Sequence, residues 1–230
     1  MRWNFEEVGY NKQMKKEIEK ILNRDELDVI KRLSTPDKVQ NFLDKLPFNF
    51  EKSRETYRSP RGVLRRKKAH CFEGVLFAYL CLSYHGIENY VIDLKVKKSA
   101  WEDSDHTLCI FKINDYWGAI SKTNHSILRW RDPIYKNVRE LTFSYFHEYF
   151  LDDGEKTLQS FSRPFNVWKK FGIKWIVDKN DLDEIAKALD QSPHIDFVPE
   201  KNKKFIRKVG KTEIKGALVT EWQKNGKLVR

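Results

Sequence analysis

The sequence predicts an α+β fold in which a central buried helix packs on an antiparallel sheet, preceded by helices and followed by a small C-terminal extension. Three observations carry that expectation. The run "CFEGVLFAYLCLSY" at 71 to 84 is apolar nearly all round, with Glu73 and Ser83 the exceptions; a helix of that kind is buried on most sides. "NYVIDLKVKK" alternates, with Tyr90, Ile92, Leu94 and Val96 on one side, as a strand does. "HTLCIFKI" and "YWGAIS" form two more strands joined across Asn114-Asp115, a dipeptide suited to a two-residue hairpin.

The remaining elements follow in order. Residues 11 to 33 read as one charged amphipathic helix with Ile18, Ile21, Leu22, Val29, Ile30 and Leu33 on its apolar side. A second helix restarts at Thr35, the N-cap, with Pro36 in the first helical position and Asp37 at the positive end of the dipole. Val39, Phe42, Leu43 and Leu46 form its stripe, and Pro47 marks its end. Residues 47 to 69 lack periodicity and read as a loop. His85-Gly86 ends the buried helix. "SILRWRDP" is a fourth strand stopped by Pro133, and 137 to 150 is a helix carrying Val138, Leu141, Tyr145 and Tyr149. Beyond 151 the signals weaken: "FGIKWIV" reads as a strand and Asp181 to Leu189 as a short helix capped near Asn180. Three segments result: helices over 1–54, a core over 55–150, and an α+β extension over 151–230 packed on that core.

Composition bounds the function. The chain has 230 residues, 40% of them hydrophobic, with 7 Trp, 9 Tyr and 15 Phe; that supplies a packed core and argues against disorder. The first twenty residues lack the apolar region of a secretory signal, and the apolar run within Val75 to Leu82 is far too short to cross a membrane. Three cysteines, Cys71, Cys81 and Cys109, are too few and odd in number for a disulfide framework, so a cytoplasmic protein with reduced thiols is expected. Neither C-x-x-C spacing nor H-E-x-x-H occurs, and no Gly-rich phosphate loop is present, so neither metal nor cofactor is expected. The net charge of +11 invites an anionic partner. The positives are diffuse and interleaved with acids, so nucleic-acid binding is expected to be weak and non-specific. Oligomeric state is not legible.

Cys71 stands where the basic run "RRKKAH" stops and the apolar helix starts. A helix N-terminus stabilises a thiolate, whereas Cys81 inside that helix and Cys109 inside a strand read as small core residues. His70 adjoins Cys71 but, counted as helical, points about 100° away, which makes it a poor base. His106 opens a strand just after the polar loop "KSAWEDSD", where a sheet presents groups to a cleft. His85 reads as a helix-end residue, while His125, His147 and His194 sit in segments with no clear polar companion.

Cys at a helix N-terminus, then a strand, then His opening the next strand of an antiparallel sheet resembles the transglutaminase-like branch of the papain-type cysteine enzymes. The resemblance covers roughly residues 55 to 135. The patterns "AHCFEG", "DH", "WGAISKTNH" and "LRWRDP" are similar to those of a bacterial group within that branch. It implies that the Cys71 thiol attacks an amide carbonyl and forms a thioester, with His106 as base and acid, in a peptidase, amidase, deamidase or acyl transferase. The substrate is then a peptide or other amide, with Arg65, Arg66, Trp101 and Trp117 as its binding residues. If Arg65, Arg66 and their basic neighbours rim the cleft, the substrate is acidic. A non-catalytic transglutaminase-like binding domain and a basic nucleic-acid-binding module remain the competing readings.

The family usually carries an Asp four residues after the strand tryptophan; counted from Trp117, that position is Ser121. A two-residue turn at Asn114-Asp115 sets Ile113 opposite Tyr116, hence Leu108 opposite Ser121 and His106 opposite Thr123. Ser121 and Thr123 then share the His106 face, while Lys122 and Asn124 lie on the other. Ser121 is therefore the expected partner of His106, ahead of Asn124, which needs a bulge near Lys122. Asp132 is the next carboxylate.

Overall fold

The computed structural model describes residues 12–50, 55–97 and 105–221, and two short strands at 223–224 and 227–228. The architecture is α+β, with helices packed on a six-stranded antiparallel sheet. The strands are β1 (Asn89–Val96), β2 (His106–Ile113), β3 (Tyr116–Ile120), β4 (Arg131–Tyr135), β5 (Leu158–Ser162) and β6 (His194–Asp196), in the spatial order β4-β3-β2-β1-β5-β6. The 151–230 segment thus contributes two strands to this sheet, β5 pairing directly with β1. The expected boundary at 150 therefore cuts through one sheet.

The N-terminal stretch forms two helices rather than one, α1 (Lys12–Ile21) and α2 (Arg24–Arg32). The break is a capping box: Asn23 accepts from the Glu26 N–H, and the Glu26 carboxylate accepts from the Asn23 N–H. The helix α3 (Pro36–Lys45) begins at Thr35 as expected. The expected loop at 47–69 contains a further helix, α4 (Pro60–Arg66), with Ser59 as N-cap and Pro60 at N1. It is too short for periodicity to register, yet the Ser-Pro start signal was there to read. The buried helix is α5 (Cys71–Tyr84), every residue after Cys71 being buried.

β2 and β3 turn through Asn114 and Asp115, both with positive φ, the signature of a type I′ turn. Ile113 opposes Tyr116 and Cys109 opposes Ile120, which is the expected register. Pro133 lies inside β4 instead of ending it; β4 is an edge strand, where a missing donor is tolerated. "FGIKWIV" is not a strand, since Lys174–Ile176 is a 3-10 turn. The helix at 137–150 is α6 (Val138–Phe146), a short helix α7 (Val167–Phe171) follows β5, and the late helix is α8 (Asp183–Asp190). β5 and β6 carried too few apolar residues to read as strands.

The sheet is covered on both faces. Val91, Cys109, Phe111 and Ile120 pack against α5, whereas Tyr90, Ile92, Leu94, Leu108, Ile110 and Trp117 pack with Leu141 and Tyr145 of α6. Alternation along each strand sorts the two sets. The same alternation puts Asp93 and Thr107, Cα partners across β1 and β2, on the α5 face near its N-terminus. Among the described residues, no helix is long and apolar enough to cross a membrane.

Candidate active site

Cys71 occupies the first position of α5, half-buried, while Cys81 and Cys109 are fully buried. Its surroundings begin with Glu73. This carboxylate is fully buried and accepts from the His70 N–H at 3.2 Å, the Thr56 hydroxyl at 2.8 Å and the Arg58 N–H at 3.3 Å. A buried carboxylate is tolerable only with such a set of donors. Its effect is to fix His70 as the N-cap, with extended backbone angles.

That overturns the expectation for His70. Being outside the helix, its side chain does not follow the 100° helical step, and Nδ1 lies 3.8 Å from the Cys71 sulfur. The other ring nitrogen meets the Thr56 carbonyl. Burial alone would push the imidazole down, but the bond to the Cys71 sulfur and the charges of Cys71 and Glu73 carry it up from 6.5 to about 10. The sequence signal was a carboxylate three residues after the position preceding the helix; histidine in the Ser/Thr place concealed it.

His106 is the second imidazole at the thiol. It is buried at the start of β2, and its Nε2 lies 2.6 Å from the Ser121 hydroxyl oxygen. With Nε2 so engaged, Nδ1 is the nitrogen left for Cys71. Burial raises the Cys71 thiol, but hydrogen bonds from His106 and His70 and their charges overcome it, bringing the thiol from 9.0 down to about 5. Among the described residues Cys81 and Cys109 have no such neighbours, and burial drives both upward.

Ser121 is itself held from behind. Gln40 of α3 makes two 3.0 Å hydrogen bonds to its backbone, donating to the carbonyl and accepting from the N–H. The next residue, Lys122, turns to the helix side, where its ammonium donates to the Leu43 and Leu46 carbonyls at the C-terminus of α3 at 2.8 and 2.5 Å. Burial lowers that ammonium to about 8. Gly74 makes room for the segment after β3, because a Cβ there would overlap Lys122 Cβ. Gln40 and Lys122 were not legible as site residues; both contacts span about 80 positions of chain.

Cys71, His106, Lys122, Thr123 and Asn124 line one cavity of about 410 Å³, with Phe48, Tyr149 and Phe150 in its walls. Asn124 is therefore at the site although Ser121, not Asn124, contacts the His106 ring. The other expectations fare differently. Arg65 and Arg66 project from α4 into a separate cavity shared with Arg61 and residues 177–181, and Arg61 is bound to Glu26 at 2.7 Å. Trp117 is core, packed against Tyr90 on the α6 side. Trp101 lies outside the described residues. Asp132 accepts from the Trp130 indole at 2.8 Å on the edge strand.

Protein-family models yield no match to the chain, and no curated protein matches it at a significant level.

Proposed function

We propose that the chain is a cysteine-dependent amide-processing enzyme of the transglutaminase-like kind, working through a thioester on Cys71. The observation that carries this reading is a thiol at a helix N-terminus with His70 Nδ1 3.8 Å from its sulfur, sharing a cavity with His106, which Ser121 orients. Buried thiols without such neighbours are driven the other way, as Cys81 and Cys109 are, and perturbed groups that line a cavity are what a nucleophile requires.

The chemistry runs as follows. The Cys71 thiolate attacks the amide carbonyl carbon, forming a C–S bond and moving the carbonyl π pair onto oxygen. The Cys71 N–H, in the first helical turn where backbone donors have no intrahelical acceptor, faces that charge. Collapse breaks the C–N bond, and His106 delivers a proton to the departing amine. Water or an amine then attacks the thioester, His106 accepts its proton, and the thiolate leaves. His70 stays cationic through the cycle and holds the sulfur ionised between turnovers.

Brief alkylation of the native protein with iodoacetamide, followed by peptide mapping, tests the assignment. Cys71 should be modified first. Preferential modification of Cys109 or Cys81 would end it.

A further inference from the structure

Cys71 also lines a second cavity, of about 500 Å³, besides the one it shares with His106. Among the described residues its charge is one-sided. Glu55, Asp93, Asp105, Asp183 and Asp190 line it together with one lysine, Lys187. Asp93, Asp105 and Asp190 each bring a carboxylate oxygen within 4.8 Å of the other two. Burial raises the Asp105 carboxyl, and the Asp93 and Asp190 charges add to it against the Val96 N–H and Lys95. Like charges gathered this way repel unless a cation joins them.

A second, independent feature points the same way. Thr107, the cross-strand partner of Asp93, lines this cavity and is 7% exposed. Among the described residues, its buried hydroxyl oxygen has no hydrogen-bond partner. A buried polar atom left unpaired is costly, and a ligand bearing N–H donors would satisfy it and the carboxylates at once.

The donors already present satisfy the cluster only in part. His194 Nε2 is 3.1 Å from Asp93, and Lys95 Nζ is 2.8 Å from Asp190. Asp105 accepts only the Val96 N–H, at 2.9 Å, among the described hydrogen bonds. Lys95 also demonstrates that the cluster receives an ammonium. A hard divalent ion fits less well, because it seeks six to eight oxygens, and here several of those of three carboxylates are already engaged.

We propose that this cavity is the arm of the cleft that takes a cationic group, ammonium or guanidinium, carried by the substrate beside the amide that Cys71 attacks. This rests on the nucleophile reading above and names its substrate class. It reverses the acidic substrate expected from Arg65 and Arg66, which line a different cavity.

Peptidyl acyloxymethyl ketones with arginine, norleucine or glutamate next to the electrophilic carbon test it on the full chain. Inactivation rate is read with Cys71 modification confirmed by peptide mapping, and iodoacetamide serves as the uncharged small control. The arginine probe should outrun norleucine by roughly tenfold or more, as charge-assisted hydrogen bonds allow, and glutamate should be slowest. The arginine-to-norleucine ratio should fall to about one in the Asp105→Asn/Asp190→Asn double variant, two exposed positions where loss of fold is not at issue. The ratio is read within each variant, so any change in the thiol cancels. Equal arginine and norleucine rates, with Cys71 still modified by iodoacetamide, would overturn the cation arm and leave the nucleophile standing. So would a preference that survives in the double variant. If iodoacetamide and all three probes leave Cys71 untouched, the nucleophile reading falls and this inference falls with it.

Discussion

The paired imidazoles make a prediction about how Cys71 reacts as pH changes. At pH 6 an ordinary thiol at 9.0 is about 0.1% thiolate, and at pH 8 about 9%, so its alkylation accelerates roughly 90-fold. Cys71, at about 5, goes from about 90% to nearly complete ionisation and should accelerate by only about 1.1-fold. The ratio of the two rates is the useful quantity, because accessibility of the half-buried sulfur cancels. Absolute rate is a poor guide: thiolate nucleophilicity falls with a Brønsted slope of about 0.4–0.5, so lowering the thiol from 9.0 to about 5 costs roughly 60-fold per thiolate. Iodoacetamide kinetics on the native protein, with Cys71 followed by peptide mapping, supply the assay. His106→Asn should move the midpoint upward, and further than His70→Asn does, because the His106 bond is the larger of the two that hold the thiol down. A merely structural histidine would leave the midpoint where it was. A 90-fold rise in the unmodified protein between pH 6 and 8 would refute the ion-pair reasoning.

Further outcomes follow from the same geometry. Held below its ordinary value, the Cys71 thiol adds stability that is complete above about pH 9 and lost as pH falls through about 5; His70, held above 6.5 at about 10, adds stability complete below 6.5 and lost as pH rises through about 10. The melting-temperature difference between the unmodified protein and Cys71→Ser should therefore form a plateau between about pH 6.5 and 9 and shrink on both sides. Ser121→Ala removes the hydroxyl that orients His106; a hydrogen bond to a charged group is worth about 1.5–3 kcal/mol, so turnover of an amide substrate should drop roughly 10- to 100-fold, with urea denaturation serving as the check on fold. Gly74→Ala gains helix propensity but forces a Cβ into Lys122; overpacking of about 1–3 kcal/mol should win, seen as a lower urea midpoint. Nucleic-acid binding in a fluorescence titration should be weak and should fade as salt rises, since Arg61, Arg129 and Arg131 are already paired with Glu26, Glu221 and Glu148. Tight binding of one sequence at physiological salt would contradict that.

Local signals determined a good part of this protein. The apolar run from Cys71 to Tyr84, the period-two alternation of β1 and the Asn114-Asp115 turn are all decided by neighbours in sequence, and each formed as read. Because strand faces alternate strictly, the turn carried the register outward and placed Ser121 at His106 from pairing alone. What depends on distant segments was not legible. A histidine takes its geometry from whether it stands inside or outside a helix, and that was settled by Glu73 drawing on Thr56 and Arg58. Arg65 and Arg66 closely precede Cys71 in sequence, yet α4 turns them to another cavity. The acidic wall beside the thiol joins Asp93 and Asp105 to Asp190 only because β5 and β6 extend the sheet past β1 and bring α8 to its end. Charge on a chain is read from its letters, but the field at one sulfur is summed over whatever the fold brings near it.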